Sequence, residues 1–288
     1  MKSFKSLATA LSLAMFAPSS AVFADDCGGS KEPRIGVQLW SVQQTLADDF
    51  EGTIKALAEM GFEGVEFAGD YGPYGDDPEG LKVFLAEHSL KVSGAHVHFD
   101  AFDEDNFDDT VAFFSAVGAK KLIIPMDDRA FTGDEVDNVV TDLVRYSERL
   151  KPYGLKIGYH NHAEEFDRFG DATFWDYIAK RTPGHVILQL DVGWAIAAAQ
   201  DPEKYVRRYP GRTLSAHIKA GLPKDAPADA KPILGQDVAD WPGIIQAMKE
   251  VGGTRWLVLE QEVYPDGMTP LEAVEASKNG LRAILDDL

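Results

Sequence analysis

The amino-acid sequence predicts an α/β fold, a single (β/α)8 TIM barrel, and three observations support this prediction. Short apolar runs alternate with amphipathic helical segments over about 255 residues, an ordinary length for one such barrel. Several runs end abruptly on polar side chains, as strands do when their carboxyl ends form a barrel rim. A doubly wound sheet would be favoured by a G-x-G-x-x-G turn after the first strand, but there Gly36 is followed by Val37 and Gln38.

Eight apolar segments are predicted to be parallel strands because each is followed by a helical pattern. Glycine and proline are spread between these elements as turn signals. In chain order the predicted strands are 34–40, 64–67, 91–98, 121–125, 155–160, 186–190, 214–216 and 256–259.

Eight helices are predicted from apolar residues at helical spacing and from signals at their ends. Thr132 with Glu135 resembles a capping box that begins the fourth helix, and Thr269 with Glu272 resembles one that begins the last. The loop 221–236 is long for a compact domain, and we interpret it as a lid.

Residues 1–24 have the pattern of an export signal peptide. Two lysines come first, an apolar run follows at 7–17, and residues 21–24 supply a small-residue cleavage pattern. The sequence therefore predicts a periplasmic or secreted protein.

After cleavage, residues 25–33 are expected to form a flexible lead-in to a barrel over 34–288. The single cysteine, Cys27, lies in this lead-in, so an intramolecular disulfide is excluded. No other apolar run approaches the roughly 20 residues that cross a bilayer, and we expect no membrane partner.

The chain is strongly acidic, with 28 basic and 47 acidic residues and a net charge of −19. Removal of the signal would take two lysines and no acid, which leaves a net charge of −21. Such a surface argues against nucleic acid and anionic lipid as partners. We expect a small-molecule partner, and a homo-oligomer is compatible with the sequence.

Strands five to eight each end on a side chain that can bind a metal ion: His160, Asp191, His217 and Glu260. Each residue alone would more often be a hydrogen-bonded structural group. Four on adjacent strands are hard to explain by packing, because every buried polar group needs a partner. Two imidazoles and two carboxylates suit Mn²⁺, Co²⁺ or Zn²⁺, with Mg²⁺ less favoured by nitrogen ligands.

The segments that carry these residues resemble the xylose isomerase-like superfamily of TIM barrels, the sugar phosphate isomerases/epimerases whose relatives include inosose dehydratase and endonuclease IV. The resemblance covers essentially the whole barrel. It rests on Tyr-His-Asn-His at 159–162, Leu-Asp-Val-Gly-Trp at 190–194, His-Ile-Lys at 217–219 and Leu-Glu-Gln-Glu at 259–262.

The resemblance implies a metal set of Glu, Asp, His and Glu. Asp191, His217 and Glu260 match this set, whereas His160 stands where a glutamate is common. Trp194 lies near the position of a further histidine in some relatives, and Ala220 stands where an aspartate often follows.

The predicted catalytic residues are Glu260, Lys219 and Glu165, and Glu66 is a further candidate for the second group. Glu260 is the expected proton acceptor, and Glu165, Glu66 or Lys219 would supply the second group. Lys219 lies two residues after His217 and should face the barrel interior. Beside a metal its pKa would be lowered, which would let it shuttle a proton; alternatively it pairs with Glu262 or Glu66.

The predicted substrate-binding residues lie at strand ends or just beyond them. Aromatic faces there commonly stack on sugars, although packing is the more frequent role. The histidine pair of strand three shares one face, and we interpret His96 as a core residue and His98 as the substrate contact. The predicted set is Trp40, Glu66, His98, His162 and Trp194.

The leading functional hypothesis is an exported, metal-dependent isomerase or epimerase that enolises a sugar or keto-sugar. The alternatives are a lyase or dehydratase on a keto-sugar or keto-glycoside, and a non-catalytic sugar-binding barrel. DNA repair of the endonuclease IV kind is opposed by the acidity and by the export signal.

Overall fold

The computed structural model describes residues 32–288, except 224 and 228. The predicted signal peptide, Cys27 and most of the lead-in lie outside these residues. Across the described part, the helices are all too short or too polar to cross a membrane.

Eight parallel strands form the barrel that the sequence predicts. Their order around the sheet is β6-β5-β4-β3-β2-β1-β8-β7. A parallel bridge between Asp191, just after β6, and His217, within β7, joins the two edge strands, and the His217 N–H donates to Leu190 O at 2.9 Å. The strands are β1 Arg34–Gln38, β2 Gly64–Phe67, β3 Lys91–His96, β4 Lys121–Ile124, β5 Lys156–His160, β6 Ile187–Gln189, β7 Ser215–Ile218 and β8 Trp256–Leu259.

The helices form the outer layer, and two βα units carry two helices rather than the predicted one. Asp49 is extended between α1 and α2, and its side chain accepts a hydrogen bond from Gly52 N that begins α2. Asp201 begins α8 in the same way by accepting from Lys204 N. The helices are α1 Gln43–Asp48, α2 Phe50–Glu59, α3 Pro78–Glu87, α4 Phe107–Val117, α5 Val136–Leu150, α6 Phe174–Arg181, α7 Val192–Ala197, α8 Pro202–Arg208, α9 Trp241–Ala247 and α10 Pro270–Asp286.

One of the two predicted capping boxes is present. Thr269 and Glu272 exchange side-chain and backbone hydrogen bonds at the start of α10. The prediction for Thr132 and Glu135 was wrong: α5 begins at Val136 with no side-chain cap, because the Thr132 hydroxyl donates instead to Asp128 O.

The loop after β7 is partly anchored, which argues against a lid made of the whole segment. Leu234 is buried, and its N–H donates to Ser277 Oγ on α10. Gln261 Nε2 donates to Pro232 O at 2.7 Å. A side chain at Gly280 would collide with Leu234 O, so α10 packs directly on this loop.

Small residues in the strands leave space in the barrel interior for large side chains. A Cβ at Gly64 would lie 2.6 Å from the Trp256 indole, and one at Gly36 would lie 3.3 Å from it. A Cβ at Gly94 would lie 2.7 Å from Glu66 Oε1. Trp256 therefore fills the layer below, and Glu66 occupies the layer that supports the functional site.

Candidate metal centre

The structure brings together the four metal-capable residues at the ends of β5 to β8. We call His160, Asp191, His217 and Glu260 the strand-end cluster. All four are buried, and each has one donor atom within 4.8 Å of those of the other three. Asp191 Oδ2 lies 4.0 Å from His160 Nε2 and 3.9 Å from His217 Nδ1, and Glu260 Oε2 lies 3.1 Å from His217 Nδ1.

One oxygen of this cluster has no partner. Asp191 caps α7 by accepting a hydrogen bond from Trp194 N at Oδ1, with a length of 2.7 Å. Its Oδ2 is buried and has no hydrogen-bond partner among the described residues. Burial raises the pKa of Asp191 to about 7, against the opposing charge of Lys219. A cation among these donors would satisfy this oxygen, so the residues present fit a divalent metal ion.

His217 lies between two carboxylates. Its Nε2 faces Glu66 Oε2 at 2.5 Å and its Nδ1 faces Glu260. Burial alone would lower the pKa of His217, but Glu260 and Glu66 outweigh it and raise this pKa to about 10. The pKa of Glu260 is held well below its ordinary value, because His217 and Lys219 outweigh the effect of burial. The arrangement resembles the carboxylate–histidine–metal arrangement of metalloproteins, with Glu66 as the outer carboxylate.

A buried polar layer lies beneath the strand-end cluster. Glu66, predicted to contact substrate, is fully buried here and accepts hydrogen bonds from Gln38 Nε2 at 3.1 Å and Gln189 Nε2 at 2.9 Å. His160 Nδ1 donates to Gln189 Oε1 at 3.2 Å. Glu66 and Gln189 therefore support the cluster from below.

His96 belongs to this layer, although we interpreted it as a core residue from the sequence. Its Nε2 lies 2.8 Å from Gln189 Oε1 and 3.3 Å from Glu66 Oε2, and its ring stacks on His217. His98, preferred from the sequence, is exposed beyond the end of β3. The reason is that β3 ends at His96, so His98 lies in the following loop.

Lys219 forms the ion pair that was one of its two predicted alternatives. Its Nζ binds Glu262, lies 3.5 Å from Glu260 Oε2, and lies 4.6 Å from the centre of the Trp194 ring. Burial alone would lower the pKa of Lys219, but Asp191, Glu260 and Glu262 outweigh it and raise this pKa. In this setting Lys219 is a charged donor rather than a base.

Glu165 is buried but separate from the strand-end cluster. It accepts hydrogen bonds from the Tyr159 hydroxyl at 2.8 Å and from His162 N at 2.7 Å. Burial raises the pKa of Glu165 to about 7. These contacts give Glu165 a role in holding the loop after β5, which positions His162.

Two predicted substrate-binding residues lie beside the cluster with unpaired polar atoms. His162 and Trp194 have ring centroids 5.4 Å apart, and His162 lies 5.2 Å from His160. Their Nδ1 and Nε1 atoms, respectively, are buried without a hydrogen-bond partner in the described chain. Trp40 follows β1 and is 45% exposed.

The sequence reasoning missed Gln189, Gln38 and Ser215, which belong to the same buried layer. Gln189 Nε2 donates to Ser215 Oγ at 3.0 Å. A usable signal was present: Gln189 lies two residues before Asp191 and Ser215 two before His217, and residues at that spacing share one face of a strand.

A family model described as xylose isomerase-like TIM barrel matches residues 54–284. The chain belongs to this family. An inosose dehydratase from Lacticaseibacillus casei is 27% identical over 281 residues, covering 82% of this chain and 90% of that protein. The predicted resemblance is thus confirmed, and this xylose isomerase-like protein has relatives that are dehydratases.

Solved structures agree on the fold. A sugar phosphate isomerase/epimerase from Parabacteroides distasonis has a TM-score of 0.73 at 24% identity, covering 88% of this chain and 96% of that one. A probable 3-DHS dehydratase from Bacillus anthracis has a TM-score of 0.64 at 14% identity, covering 86% and 98%. At these sequence identities the similarity shows the fold alone.

Proposed function

We propose that this protein is a divalent-metal-dependent enzyme that removes a proton next to the carbonyl of a keto-sugar or a polyol-derived ketone. The observation that carries the proposal is the buried, unpaired Asp191 Oδ2 among three further metal-capable donors. His160, Asp191, His217 and Glu260 would hold the ion, with Mn²⁺, Co²⁺ or Zn²⁺ preferred over Mg²⁺ by the imidazoles. When bound, the ion supplies Lewis-acid chemistry that polarises a substrate oxygen.

Glu260 would accept the proton, because its low pKa keeps the carboxylate deprotonated and the acid Lys219 lies 3.5 Å from it. Lys219, which is held in its charged form, would donate a hydrogen bond or a proton to a substrate oxygen. His162 and Trp194 would orient substrate hydroxyls through the polar atoms that are otherwise unpaired. Glu165 acts indirectly by holding His162.

Elimination of water is the outcome that the geometry favours over epimerisation. Epimerisation by two facing carboxylates needs a second carboxylate across the substrate, and the family resemblance implies that His160 replaces it. Elimination needs one base and one acid, which Glu260 and Lys219 provide. The likeness to inosose dehydratases supports this choice. Isomerase or epimerase activity and simple sugar binding are the alternatives.

The test is incubation of the purified protein with inososes, free ketoses and keto-glycosides in D₂O, with Mn²⁺, Co²⁺ or Zn²⁺ and with a chelator. Metal-dependent loss of water, detected by NMR, is expected. Deuterium exchange with epimer formation would support the epimerase instead. Binding without exchange would support a sugar-binding barrel, and full activity with the chelator would contradict metal dependence.

We also propose that residues 1–24 are removed on export and that the substrate is not phosphorylated. The expected export favours a free or oxidised sugar over a phosphorylated one. Mass spectrometry of protein from the periplasmic fraction should give a chain that begins at Asp25. Retention of the intact chain in the cytoplasm would contradict export.

A further inference from the structure

Gln189 lies at the end of β6, directly beneath the strand-end cluster, and is fully buried. Its side chain makes four hydrogen bonds. The amide nitrogen donates to Glu66 Oε1 at 2.9 Å and to Ser215 Oγ at 3.0 Å. The amide oxygen accepts from His160 Nδ1 at 3.2 Å and from His96 Nε2 at 2.8 Å.

Chemistry fixes the orientation of this amide. The Glu66 carboxylate accepts hydrogen bonds only, so the side of the amide that faces it must be the nitrogen. The oxygen of Gln189 then faces the two imidazoles, and both must donate to it. His160 therefore carries its proton on Nδ1, and its Nε2 lone pair is directed to the side where Asp191 Oδ2 lies, 4.0 Å away.

We propose that Gln189 is a positioning residue that holds His160 in the tautomer able to bind the metal ion. The inference rests on the metal site of the proposed function. The resemblance to this family implies a glutamate where His160 stands, and a carboxylate needs no tautomer to be selected. A histidine at this position needs a partner for its other nitrogen, and Gln189 supplies it.

A second set of close donors, namely His96, His160 and His217, spans this layer and the strand-end cluster. Two of these rings already use a nitrogen to bind Gln189 Oε1, and His217 uses Nε2 to bind Glu66. The three histidines are therefore joined by outer partners of the strand-end cluster rather than by a second ion.

A simpler role for Gln189 would be to satisfy buried polar groups without affecting the metal. Three variants separate the two roles. Gln189→Met removes the acceptor of His160. Ser215→Ala removes a hydrogen bond from the nitrogen side of the same amide and is the matched control. Gln189→Glu keeps an oxygen that can accept from both rings, and its protonated form can still donate to Glu66.

Dissociation constants for Zn²⁺ and Co²⁺ would be measured by competition with a chromophoric chelator, alongside urea unfolding of the metal-free proteins. Gln189→Met should bind both ions roughly 10–100-fold more weakly, the usual cost of losing an outer partner. Ser215→Ala should stay within about threefold of wild type, and Gln189→Glu should recover most of the affinity. Equal weakening in Gln189→Met and Ser215→Ala would overturn the inference.

Nitrogen-15 NMR of the metal-free protein gives a readout that does not depend on the ion. The His160 signals, assigned by their loss in His160→Ala, should report a proton on Nδ1 in wild type and Gln189→Glu but not a fixed proton there in Gln189→Met. A proton fixed on Nε2 in wild type would overturn the role of Gln189 alone. Correct tautomers in a protein that binds no metal would instead contradict the proposed function.

Discussion

Asp176 and Asp191 are both buried acids at the starts of helices, Asp176 in the first turn of α6 and Asp191 as the cap of α7, yet their surroundings differ in one respect. Both oxygens of Asp176 accept from Arg208 Nη1, at 2.8 and 3.0 Å, and the Tyr209 hydroxyl also binds Oδ1. Asp191 has one oxygen with no partner. A fully satisfied buried acid stabilises the fold, whereas a half-satisfied one lowers stability and is retained for a ligand.

The pKa values of the two acids differ in the same way as their hydrogen bonds. Burial alone would raise the pKa of Asp176, but Tyr209 and Arg208 outweigh it and hold this pKa below its ordinary value. At Asp191 burial prevails and raises the pKa. The comparison predicts that a variant of Asp191 weakens metal binding whereas a variant of Asp176 does not, and that the two variants change stability in opposite directions.

The largest effect is expected on metal binding. Asp191→Asn keeps an oxygen for Trp194 N but removes the charge, so it should weaken Zn²⁺ binding by more than about 100-fold, beyond the cost of losing an outer partner. Isothermal titration calorimetry would measure this. Asp176→Asn is the matched control and should bind like wild type. Equal Zn²⁺ affinity in Asp191→Asn and Asp176→Asn would contradict the assignment of Asp191 alone to the metal site.

The next effect is expected on stability. Asp176→Ala should lower the free energy of unfolding by about 2–3 kcal/mol, because Arg208 and Tyr209 lose a charged partner. The Arg208 side chain is 43% exposed, so water compensates part of the loss. Urea unfolding in the presence of a chelator would measure it.

The control for this second experiment is the exposed pair of Arg207 and Glu250, whose closest atoms are 2.9 Å apart. Glu250→Ala should change the free energy of unfolding by less than about 1 kcal/mol, as for other surface pairs. A loss in Asp176→Ala no larger than that of Glu250→Ala would contradict the structural role of Asp176.

A smaller change in stability, of opposite sign, is expected for Asp191. In metal-free protein, Asp191→Asn should raise the free energy of unfolding by about 1 kcal/mol, because a buried and half-satisfied charge is removed. The same urea experiment measures it. Destabilisation of the metal-free protein would indicate that Asp191 is part of the structural framework.

The smallest effect concerns pH. The folded pKa of Asp176 lies below its unfolded value, so its contribution to stability is complete above about pH 4 and is lost as pH falls toward the folded pKa. The difference in Tm between wild type and Asp176→Asn should therefore be constant from pH 7 to 5 and shrink below pH 4. A difference that grows on acidification would have the wrong sign.

The barrel and the positions of its rim residues followed from the sequence because topology determines them. Consecutive parallel strands bring their carboxyl ends to one edge, so residues as far apart as His160 and Glu260 could be placed together. The paired helices after β1 and β6 did not follow. Each of these two units adds a short helix, α1 or α7, and six residues are too few to show an apolar periodicity.

The layer below the rim was harder to predict for a physical reason. Gln189 and His96 are the last residues of β6 and β3, where a polar residue facing the interior has the same sequence pattern whether it serves a site or satisfies a local hydrogen bond. Only the three-dimensional structure shows that Gln189 supplies the amide oxygen to which His96 binds. The pairing of Lys219 with Glu262 likewise depends on side-chain positions that spacing leaves open.

The indole of Trp256 limits the routes by which a substrate can reach the strand-end cluster. It fills the interior that Gly36 and Gly64 leave free, so it closes the barrel below the strand-end cluster. If the protein removes water from a sugar, the water and the organic product must both leave on the side of the barrel where the strands end, which is also the side where the sugar enters. A second sugar molecule could then bind only after the organic product has left.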